Sequence, residues 1–453
     1  MTSFNPGPAG LLDELRWRGM FHAASDGLEA RLASGRPIAG YNGFDPSGAS
    51  LHIGSLVPIF GLIHFQRHGG RPVALVGGGT GMIGDPSGRS SERNLLDHDT
   101  LAANAESIHA QLEHFLDFSG PRGAVMVNNL EWLESMTMIE FLRDVGKHFT
   151  IPYMLAKDSV QVRLDKGLSY TEFSYMLLQS ADFAHLRRTM DVEMQMGGAD
   201  QWGNITAGLE LIRRTAGGGD GCGAEAGASA AADSDPGAGS SPSANPAAFG
   251  LAYPLLLTAS GAKYGKSVDG DSIWLDPNRT SPYAFYQHWL TTDDRDIGIY
   301  LRWFTTMAPD EIEGLEAEMA ERPGARAAQK ALALDVTART HGTDTARQVE
   351  LDSAVLFDPE PIRDPAVLER LWRSVGGFTV EPAAATSGAA AVLASAGVFA
   401  SNGEARKMIQ NGGLTINGEP IRDSAAAMPV PINGTWWEVR IGKRRREIGR
   451  LGR

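Results

Sequence analysis

A strand–helix–strand pattern near the amino terminus constrains the fold of this chain more than any other feature. Residues 38–44 read as a short strand, residues 53–67 carry apolar side chains at helical spacing, and residues 72–76 form a continuous apolar run. A helix that joins two buried strands forms a βαβ unit, so we predict an α/β domain with a parallel sheet. Ligands of such sheets bind beyond the carboxyl ends of the strands, where residues 45–52 and 77–85 should lie.

The composition is that of a soluble globular protein with several domains. The 453 residues exceed what one small core organises, which suggests two or three domains. The formal net charge is −13, yet residues 401–453 hold ten Lys or Arg against five Asp or Glu. This uneven distribution suits selective contact with a polyanion. The single cysteine, Cys222, excludes an intrachain disulfide framework and fits a reducing cytosol. Because residues 1–10 lack the pattern of a secretory signal and no apolar run has membrane-spanning length, we expect a cytoplasmic protein without membrane contact.

The segment 216–248 differs in composition from the rest of the chain. It consists mainly of Gly, Ala, Ser and Pro and has no large apolar side chain. Such a segment buries too little surface to offset its ordering entropy, so we predict a disordered insertion. Cys222 lies inside it and is therefore not expected to be catalytic.

Further elements follow from periodicity and from turn residues. Helical patterns are predicted at 101–116, 136–149, 171–188, 389–396 and 404–411, with further helices from 281 to about 356. Short strands are predicted at 414–417 and 436–441, and residues 376–388 read as a linker.

His52 and Gly54 stand at the predicted start of the first helix. A helix amino terminus offers free N–H groups and a positive dipole end to phosphate, and the imidazole can donate to a phosphate oxygen. The alternative for an isolated H-x-G is a capping histidine with an incidental glycine. The preceding sequence, residues 43–47 (Gly-Phe-Asp-Pro-Ser), favours the phosphate site.

Two lysines, Lys263 and Lys266, lie in a glycine-rich loop. Ammonium groups on flexible stems can follow a moving phosphate group. The alternative is a solvated surface turn, the usual environment of a lone K-x-x-K pattern.

Three polar residues on one predicted helix form a second candidate group. Tyr175, Gln179 and Asp182 are spaced by four and three residues, so one helical face presents all three. An ordinary exposed polar stripe would have the same spacing. Asp200 and Gln201 follow two glycines that permit close approach of a ligand to the backbone, although a polar turn before a helix explains them equally well.

The segment 79–84 matches G-x-G-x-x-G, but we reject a dinucleotide site there. Such a site requires an immediate helix and a second strand that ends in an acidic residue. Residues 85–88 instead interrupt the chain with Asp-Pro-Ser-Gly.

Together these segments resemble the bacterial tyrosyl-tRNA synthetases, which are class I aminoacyl-tRNA synthetases. Residues 51–55 resemble the HIGH signature of that class and residues 261–267 resemble its KMSKS signature. The resemblance is nearly continuous over residues 41–60, 75–94, 141–214 and 249–296, including the stretches 144–149 and 197–205. Residues 404–418 resemble a small RNA-binding module first described in a ribosomal protein, and the basic run 443–446 follows it.

The resemblance implies a role for each matched residue. The tyrosine pocket would comprise Tyr41, Asp85, Tyr175, Gln179, Asp182 and Gln201. ATP would contact Gly43, Asp45, His52, Gly54, Gly198, Asp200 and Lys266. The transferring phosphate and the leaving pyrophosphate would be stabilised by Ser47, His52, Ser55, Arg89, Arg93, Lys263 and Lys266. Ser55 replaces the second histidine of the signature, so we expect a tuned site.

The resemblance also implies the architecture and the partners. We expect a Rossmann-like catalytic domain at 1–277, an α-helical anticodon-side domain at 278–375, a linker at 376–388 and a small α+β RNA-binding domain at 389–453. The expected substrates are L-tyrosine, ATP with Mg²⁺ and tRNA(Tyr), with no tightly bound cofactor and no protein-held metal. Relatives are homodimers, and we assign the interface here to residues 148–154.

Three alternatives remain at this stage. A tryptophan-specific class I synthetase would share the fold, but an indole pocket has no use for the two hydroxyl partners Tyr41 and Asp182. A non-tRNA adenylyltransferase would not need the helical and basic carboxyl-terminal regions. A non-catalytic RNA-binding protein would have no reason to retain both phosphate motifs.

Overall fold

The chain forms two compact units. The computed structural model describes residues 7–85, 87, 96–164, 167–216, 248–259, 264, 272–442 and 445–452. The first unit comprises Met1–Leu275 and Asp293–Ala328, and the second comprises Asp276–Thr292 and Gln329–Arg453. The predicted insertion 216–248 lies outside the described residues apart from its two ends. Among the described residues, no helix is both long enough and apolar enough to cross a membrane.

The first unit is built on a six-stranded sheet. Its strands are β1 (Ala23–Ala24), β2 (Ala39–Phe44), β3 (Arg71–Val76), β4 (Val125–Asn128), β5 (Val192–Gly198) and β6 (Phe249–Tyr253). Their order is β1-β6-β5-β2-β3-β4, and all neighbours pair in parallel except β1 and β6. The predicted α/β class with a parallel sheet is therefore confirmed.

The first unit also contains helices. They are α1 (Leu11–Arg18), α2 (Leu28–Ala33), α3 (Leu56–Arg67), α4 (His98–Leu112), α5 (Leu130–Leu133), α6 (Met138–Glu140), α7 (Ile151–Leu155), α8 (Asp158–Leu164), α9 (Tyr170–Met190), α10 (Trp202–Ala216), α12 (Ile297–Phe304) and α13 (Pro309–Glu321). Of these, α3, α4, α9 and α10 contact the strands of this sheet. In the second unit lie α11 (Pro282–Leu290), α15 (Thr343–Phe357), α16 (Pro365–Val375), α17 (Ala389–Ser395) and α18 (Asn402–Gln410), while α14 (Ala327–His341) begins at the boundary.

Glycine allows α3 to lie close to the sheet. A Cβ atom on Gly61 would stand 2.0 Å from the hydroxyl oxygen of Tyr253 on β6. Because real Cβ atoms essentially never approach a heavy atom so closely, any larger residue at this position would force α3 or the buried Tyr253 ring to move. The position of α3 matters because the short 3₁₀ turn Ile53–Ser55 connects the start of this helix to His52.

The segment 136–149 differs from its sequence prediction. Instead of one helix it forms α6, a π-helical turn over Phe141–Val145 and a 3₁₀ turn over Gly146–His148. Thr137 and Glu140 form a capping box at its start, and Val145 has φ −112°, which interrupts the helical path before Gly146. Apolar periodicity alone therefore overestimated the regularity of this segment.

A second sheet organises the other unit. Its strands are β7 (Phe378–Val380), β8 (Leu414–Ile416), β9 (Glu419–Pro420), β10 (Trp436–Ile441) and β11 (Arg445–Leu451), in the order β7-β11-β10-β8-β9. The predicted linker 376–388 contains β7, which pairs in parallel with β11. Phe378 and Val380 are buried on either side of an exposed Thr379, a period of two that the surrounding Gly, Pro and Ala residues obscured.

Contacts divide the chain differently from the predicted domain boundaries. Residues 293–328 of the predicted helical domain belong to the first unit. Within the second unit, Leu356 and Leu368 from helices share a core with Trp436 and Ile448 from the second sheet. The predicted helical and RNA-binding segments are thus joined by common packing.

A buried group of charged and ionisable residues joins α1 to α3. The Glu14 carboxylate contacts Arg18 Nε at 2.7 Å, His64 Nδ1 at 3.2 Å and His68 Nε2 at 2.6 Å. Arg18 also donates to the carbonyls of residues 302, 305 and 307. Burial lowers the pKa of His64 to about 4 despite the adjacent Glu14. Burial alone would raise the pKa of Glu14, but hydrogen bonds from His64 and His68 and the charge of Arg18 hold it well below its usual range.

We expect the first unit to lose stability as the pH falls from about 6.5 to 4. In this pH range His64 binds a proton in the unfolded state but stays neutral in the folded state, which favours unfolding. Glu14 adds to this loss of stability below its ordinary pKa of 4.5, because it is protonated in the unfolded state but remains ionised in the folded state. His64→Leu should make the slope shallower by up to about 1.4 kcal/mol per pH unit. Urea unfolding at a series of pH values measures the slope. His109→Leu, at an exposed position on α4, is the control, and an unchanged slope in His64→Leu would contradict the assignment.

Candidate active site

One cavity of the first unit contains most of the predicted site residues. Its volume is about 330 Å³, and it opens at the carboxyl ends of the central parallel strands. The predicted residues that line it are Tyr41, Gly43, Asp45, His52, Gly54, Asp85, Tyr175, Gln179, Asp182, Gly198, Asp200 and Gln201. The site therefore combines residues from the ends of β2 and β5, from the His52 signature and from α9.

Other predicted residues lie elsewhere. Ser47 is exposed, Ser55 is half-buried at the start of α3, and neither lines the cavity. Arg89, Arg93, Lys263 and Lys266 lie outside the described residues.

Strand pairing and helical spacing explain how these residues meet. Tyr41 on β2 is the register partner of Gln195 on β5, so the two residues lie side by side on the sheet. The spacing predicted for α9 holds, since Tyr175, Gln179 and Asp182 all reach the cavity. Ser169 caps the start of this helix by accepting from the Glu172 N–H.

A buried carboxylate, Asp182, stands at the inner end of the cavity. Its Oδ2 accepts from Asn129 Nδ2 at 2.9 Å, and its Oδ1 accepts from Trp132 Nε1 at 2.8 Å. Burial raises the pKa of Asp182 to about 7, although both hydrogen bonds oppose the rise and the charge of Asp45 adds to it. The group is therefore close to the midpoint of its titration at neutral pH.

The Tyr41 hydroxyl lies in the same region and is buried. It has no hydrogen-bond partner among the described residues. Burial, together with the nearby Asp182, raises the pKa of the phenol well above its usual value. A buried hydroxyl without a partner is costly, so this group is suited to a polar ligand atom that enters beside Asp182.

Amide side chains form a chain of hydrogen bonds along one wall. Gln201 Nε2 donates to Asp85 Oδ2 at 2.7 Å, and Gln179 Nε2 donates to Gln201 Oε1 at 3.3 Å. Asn204 Nδ2 donates to Gln179 Oε1 at 3.0 Å. This network orients Asp85 and both glutamines and gives the wall a carboxylate and amide oxygens, which are acceptors for an ammonium group.

The His52 ring is held by its own helix start. Nδ1 accepts from the Gly54 N–H at 3.0 Å, so in a neutral ring the proton lies on Nε2, which can then donate. Residues 51–53 pair with residues 273–275: the Ile53 N–H donates to Ile273 O, and the Leu275 N–H donates to Leu51 O. The histidine motif is thus tied to the chain that directly follows the lysine loop.

Tyr264 is the described residue between the two lysines. It is buried, lines the cavity, and packs on Tyr300 and Phe304 with ring centroids 5.1 Å and 5.3 Å apart. These contacts place the centre of the loop beside the cavity.

Sequence reasoning missed several residues of the site. Asn129 and Trp132 hold Asp182, Thr80 lines the cavity and accepts from Asn129 Nδ2, and Gln195 lines the cavity with an Oε1 that is buried without a partner among the described residues. Gln195 had a detectable signal, because a glutamine within the otherwise apolar end of a buried strand requires a polar partner. The others lie on segments without a motif.

Comparison with known proteins agrees with this geometry. The family model for class I tRNA synthetases of the W and Y type matches residues 33–358. The tyrosine–tRNA ligase of Anaeromyxobacter dehalogenans is 46% identical over 441 residues, which cover 96% of this chain and 97% of the relative. The chain belongs to the tyrosyl-tRNA synthetases.

Solved structures resemble this tyrosyl-tRNA synthetase to different degrees. A C-terminally truncated mitochondrial tyrosyl-tRNA synthetase from Coccidioides posadasii is 31% identical, with a TM-score of 0.62, covering 76% of this chain and 91% of its own. A tryptophanyl-tRNA synthetase from Encephalitozoon cuniculi reaches a TM-score of 0.51 at 13% identity, covering 76% of this chain and 93% of its own, which shows a shared fold only. The chain is thus an ATP-dependent aminoacyl-tRNA ligase whose full-length similarity is to tyrosine–tRNA ligases.

We expect kcat/KM for tyrosine in pyrophosphate–ATP exchange to rise with pH through about 7, as Asp182 ionises. Trp132→Phe removes a hydrogen bond that favours the carboxylate, so it should shift this midpoint to higher pH. Trp372→Phe, in the second unit, is the control. A midpoint that stays unchanged in Trp132→Phe would rule out Asp182 as the titrating group.

Proposed function

We propose that the cavity binds L-tyrosine with its phenol at Tyr41 and Asp182 and its ammonium at Asp85, Tyr175 and Gln179. The observation that carries this proposal is the buried Tyr41 hydroxyl, which lies near the buried Asp182 carboxylate and has no hydrogen-bond partner in the part of the chain that the structure describes. A phenol can accept from one of these groups and donate to the other, whereas an indole has no second polar atom to use. Gln201 then faces the carboxyl side of the substrate.

ATP binds across the other part of the cavity in this proposal. Gly43, Gly54 and Gly198 permit close approach of the base and ribose, and Asp200 accepts from ribose hydroxyls. Mg²⁺ arrives with ATP as part of the substrate. Among the described residues, no group of three or more His, Cys, Asp or Glu side chains is placed to hold a metal ion.

The first step joins tyrosine to the nucleotide. A tyrosine carboxylate oxygen attacks the α-phosphorus of ATP, the bond from that phosphorus to the bridging oxygen breaks, and pyrophosphate leaves with that oxygen. The substrate is its own nucleophile, so no covalent enzyme intermediate is required. Catalysis then consists of positioning and of charge stabilisation in the transition state.

Charge stabilisation is assigned to residues around the phosphates. His52 donates from Nε2, as the hydrogen bond from the Gly54 N–H to Nδ1 supports. Ser47, Ser55, Arg89, Arg93, Lys263 and Lys266 keep their proposed contacts with the transferring phosphate or the pyrophosphate. In the second step, a hydroxyl of the terminal tRNA adenosine attacks the activated carbonyl, and AMP leaves.

The remaining parts of the chain serve tRNA(Tyr) in this proposal. Residues 278–375 act on the anticodon side, and residues 389–453 bind RNA, with the exposed Arg445 of the basic run among the proposed contacts. Recognition of this kind relies on backbone and shape. We place the enzyme in the cytoplasm.

Pyrophosphate–ATP exchange with tyrosine, tryptophan and phenylalanine tests the proposal. Exchange with tyrosine alone supports the proposal. Exchange with tryptophan would indicate a tryptophan-specific synthetase, and no exchange would favour an RNA-binding function. Tyr41→Phe should raise the KM for tyrosine about 2- to 10-fold, because one neutral hydrogen bond is lost, and should leave the KM for ATP nearly unchanged. Equal effects on both substrates would contradict the pocket assignment.

We propose a homodimer whose interface includes residues 148–154. Support comes from exposed apolar side chains in and near this segment of the first unit: Met138, Ile139, Ile151, Val162 and Tyr170 are 60–75% exposed. Several large apolar side chains with this degree of exposure are typical of protein interfaces.

Ile151→Glu should convert the dimer into monomers, because it places a charge in the apolar interface. Light scattering at micromolar concentration measures the mass. Leu351→Glu changes an equally exposed leucine of the second unit and should leave the dimer intact. A wild-type monomer, or an unchanged dimer in Ile151→Glu, would contradict the proposed interface.

A further inference from the structure

A stacked ring pair lies directly behind Asp182. The indole of Trp132 and the imidazole of His185 are nearly parallel, with centroids 4.4 Å apart and an interplanar angle of 10°. Both side chains are half-buried, and neither lines the cavity. Trp132 donates to the Asp182 carboxylate, which is 2% exposed, and His185 stacks on that donor.

Within its own helix, few contacts fix the position of the Trp132 side chain. It belongs to α5, a four-residue helix without any buried residue. Its Nε1–H bond to Asp182 Oδ1 fixes one edge of the indole, and apolar neighbours of the sheet core contact the ring. His185 covers one face of the ring, and it projects from α9 three residues after Asp182. One rigid helix thus carries both the carboxylate and the ring that stacks on its hydrogen-bond donor.

We propose that His185 is a positioning residue for recognition of the substrate phenol. Its ring holds the Trp132 indole in the plane that aims Nε1–H at Asp182, and so keeps the carboxylate oriented and shielded from water. This inference rests on the proposed tyrosine pocket and adds a residue to it that does not touch the substrate.

The chemistry of the imidazole supports this role. Burial lowers the pKa of His185, and the charge of Arg188 adds to the effect, so the ring is neutral at neutral pH. A neutral imidazole can lie flat on an indole without bringing a charge close to Asp182. The contact depends on ring shape, which distinguishes it from a simple apolar contact.

Three substitutions at one position test the proposal in pyrophosphate–ATP exchange. His185→Ala should raise the KM for tyrosine about three- to tenfold, with kcat and the KM for ATP within about twofold of the wild-type values. His185→Phe restores a flat ring and should behave like the wild type, whereas His185→Leu fills the volume without stacking and should behave like His185→Ala. His109→Ala is the control at an exposed histidine of α4.

A double-mutant cycle shows whether His185 acts through Trp132. In a Trp132→Leu background, His185→Ala should have no further effect on the KM for tyrosine. Additive effects in the cycle, a wild-type KM in His185→Ala, or equal losses in the Phe and Leu variants would each overturn the proposal. If the wild-type enzyme itself shows no tyrosine-dependent exchange, the proposed pocket fails instead, so the two failures are distinguishable.

Discussion

Parallel pairing of β2 with both β3 and β5 is the constraint on which the site depends. It brings the carboxyl ends of three strands to one edge of the sheet, and each strand there passes into a segment that lines the cavity. A one-residue change of register on β5 would turn Gln195 away from Tyr41 and reverse the faces of the whole strand. The approach of α3 to β6, which Gly61 permits, sets where the His52 motif begins. The backbone of the sheet therefore sets the positions of the cavity residues independently of any substrate.

The proposed selectivity for a phenol depends on the burial of Asp182, which also has an energetic cost. An isolated carboxylate in a buried site prefers its neutral form, and two donors only partly offset that preference. A substrate phenol would add a third hydrogen bond and pair with Tyr41 at the same time. A substrate without that hydroxyl would leave the Tyr41 hydroxyl buried without a partner among the described residues, and Asp182 would keep only its two donors Asn129 and Trp132. The penalty for a buried unpaired group is larger than the gain from a single hydrogen bond, so the proposed pocket favours tyrosine over phenylalanine.

The sequence allowed prediction of the parallel sheet and of the α9 face, because both depend on local periodicity. Spacings of four and three placed Tyr175, Gln179 and Asp182 on one helical face, and only the family resemblance assigned that face to a pocket. The strand at 436–441 follows from alternation. Asn129 and Trp132 could not be predicted this way, since they reach Asp182 from a segment about fifty residues earlier and belong to no repeated pattern. The strand β7 was hidden by flanking Gly, Pro and Ala residues, and its existence depends on pairing with β11 near the end of the chain. Local sequence patterns therefore do not reveal elements and site residues that depend on long-range contacts.

The bonds between residues 51–53 and 273–275 connect the two signatures through the backbone. These segments are more than two hundred residues apart, yet the Ile53 and Leu275 N–H groups exchange bonds across them. Tyr264, which stands between the two lysines in the sequence, packs on Tyr300 and Phe304. His52 lies at the backbone bonds with residues 273–275, and its Nδ1 accepts from the Gly54 N–H, which fixes the orientation of the ring. The proposed phosphate donor is therefore oriented by the protein alone, as electrostatic stabilisation of a transition state requires.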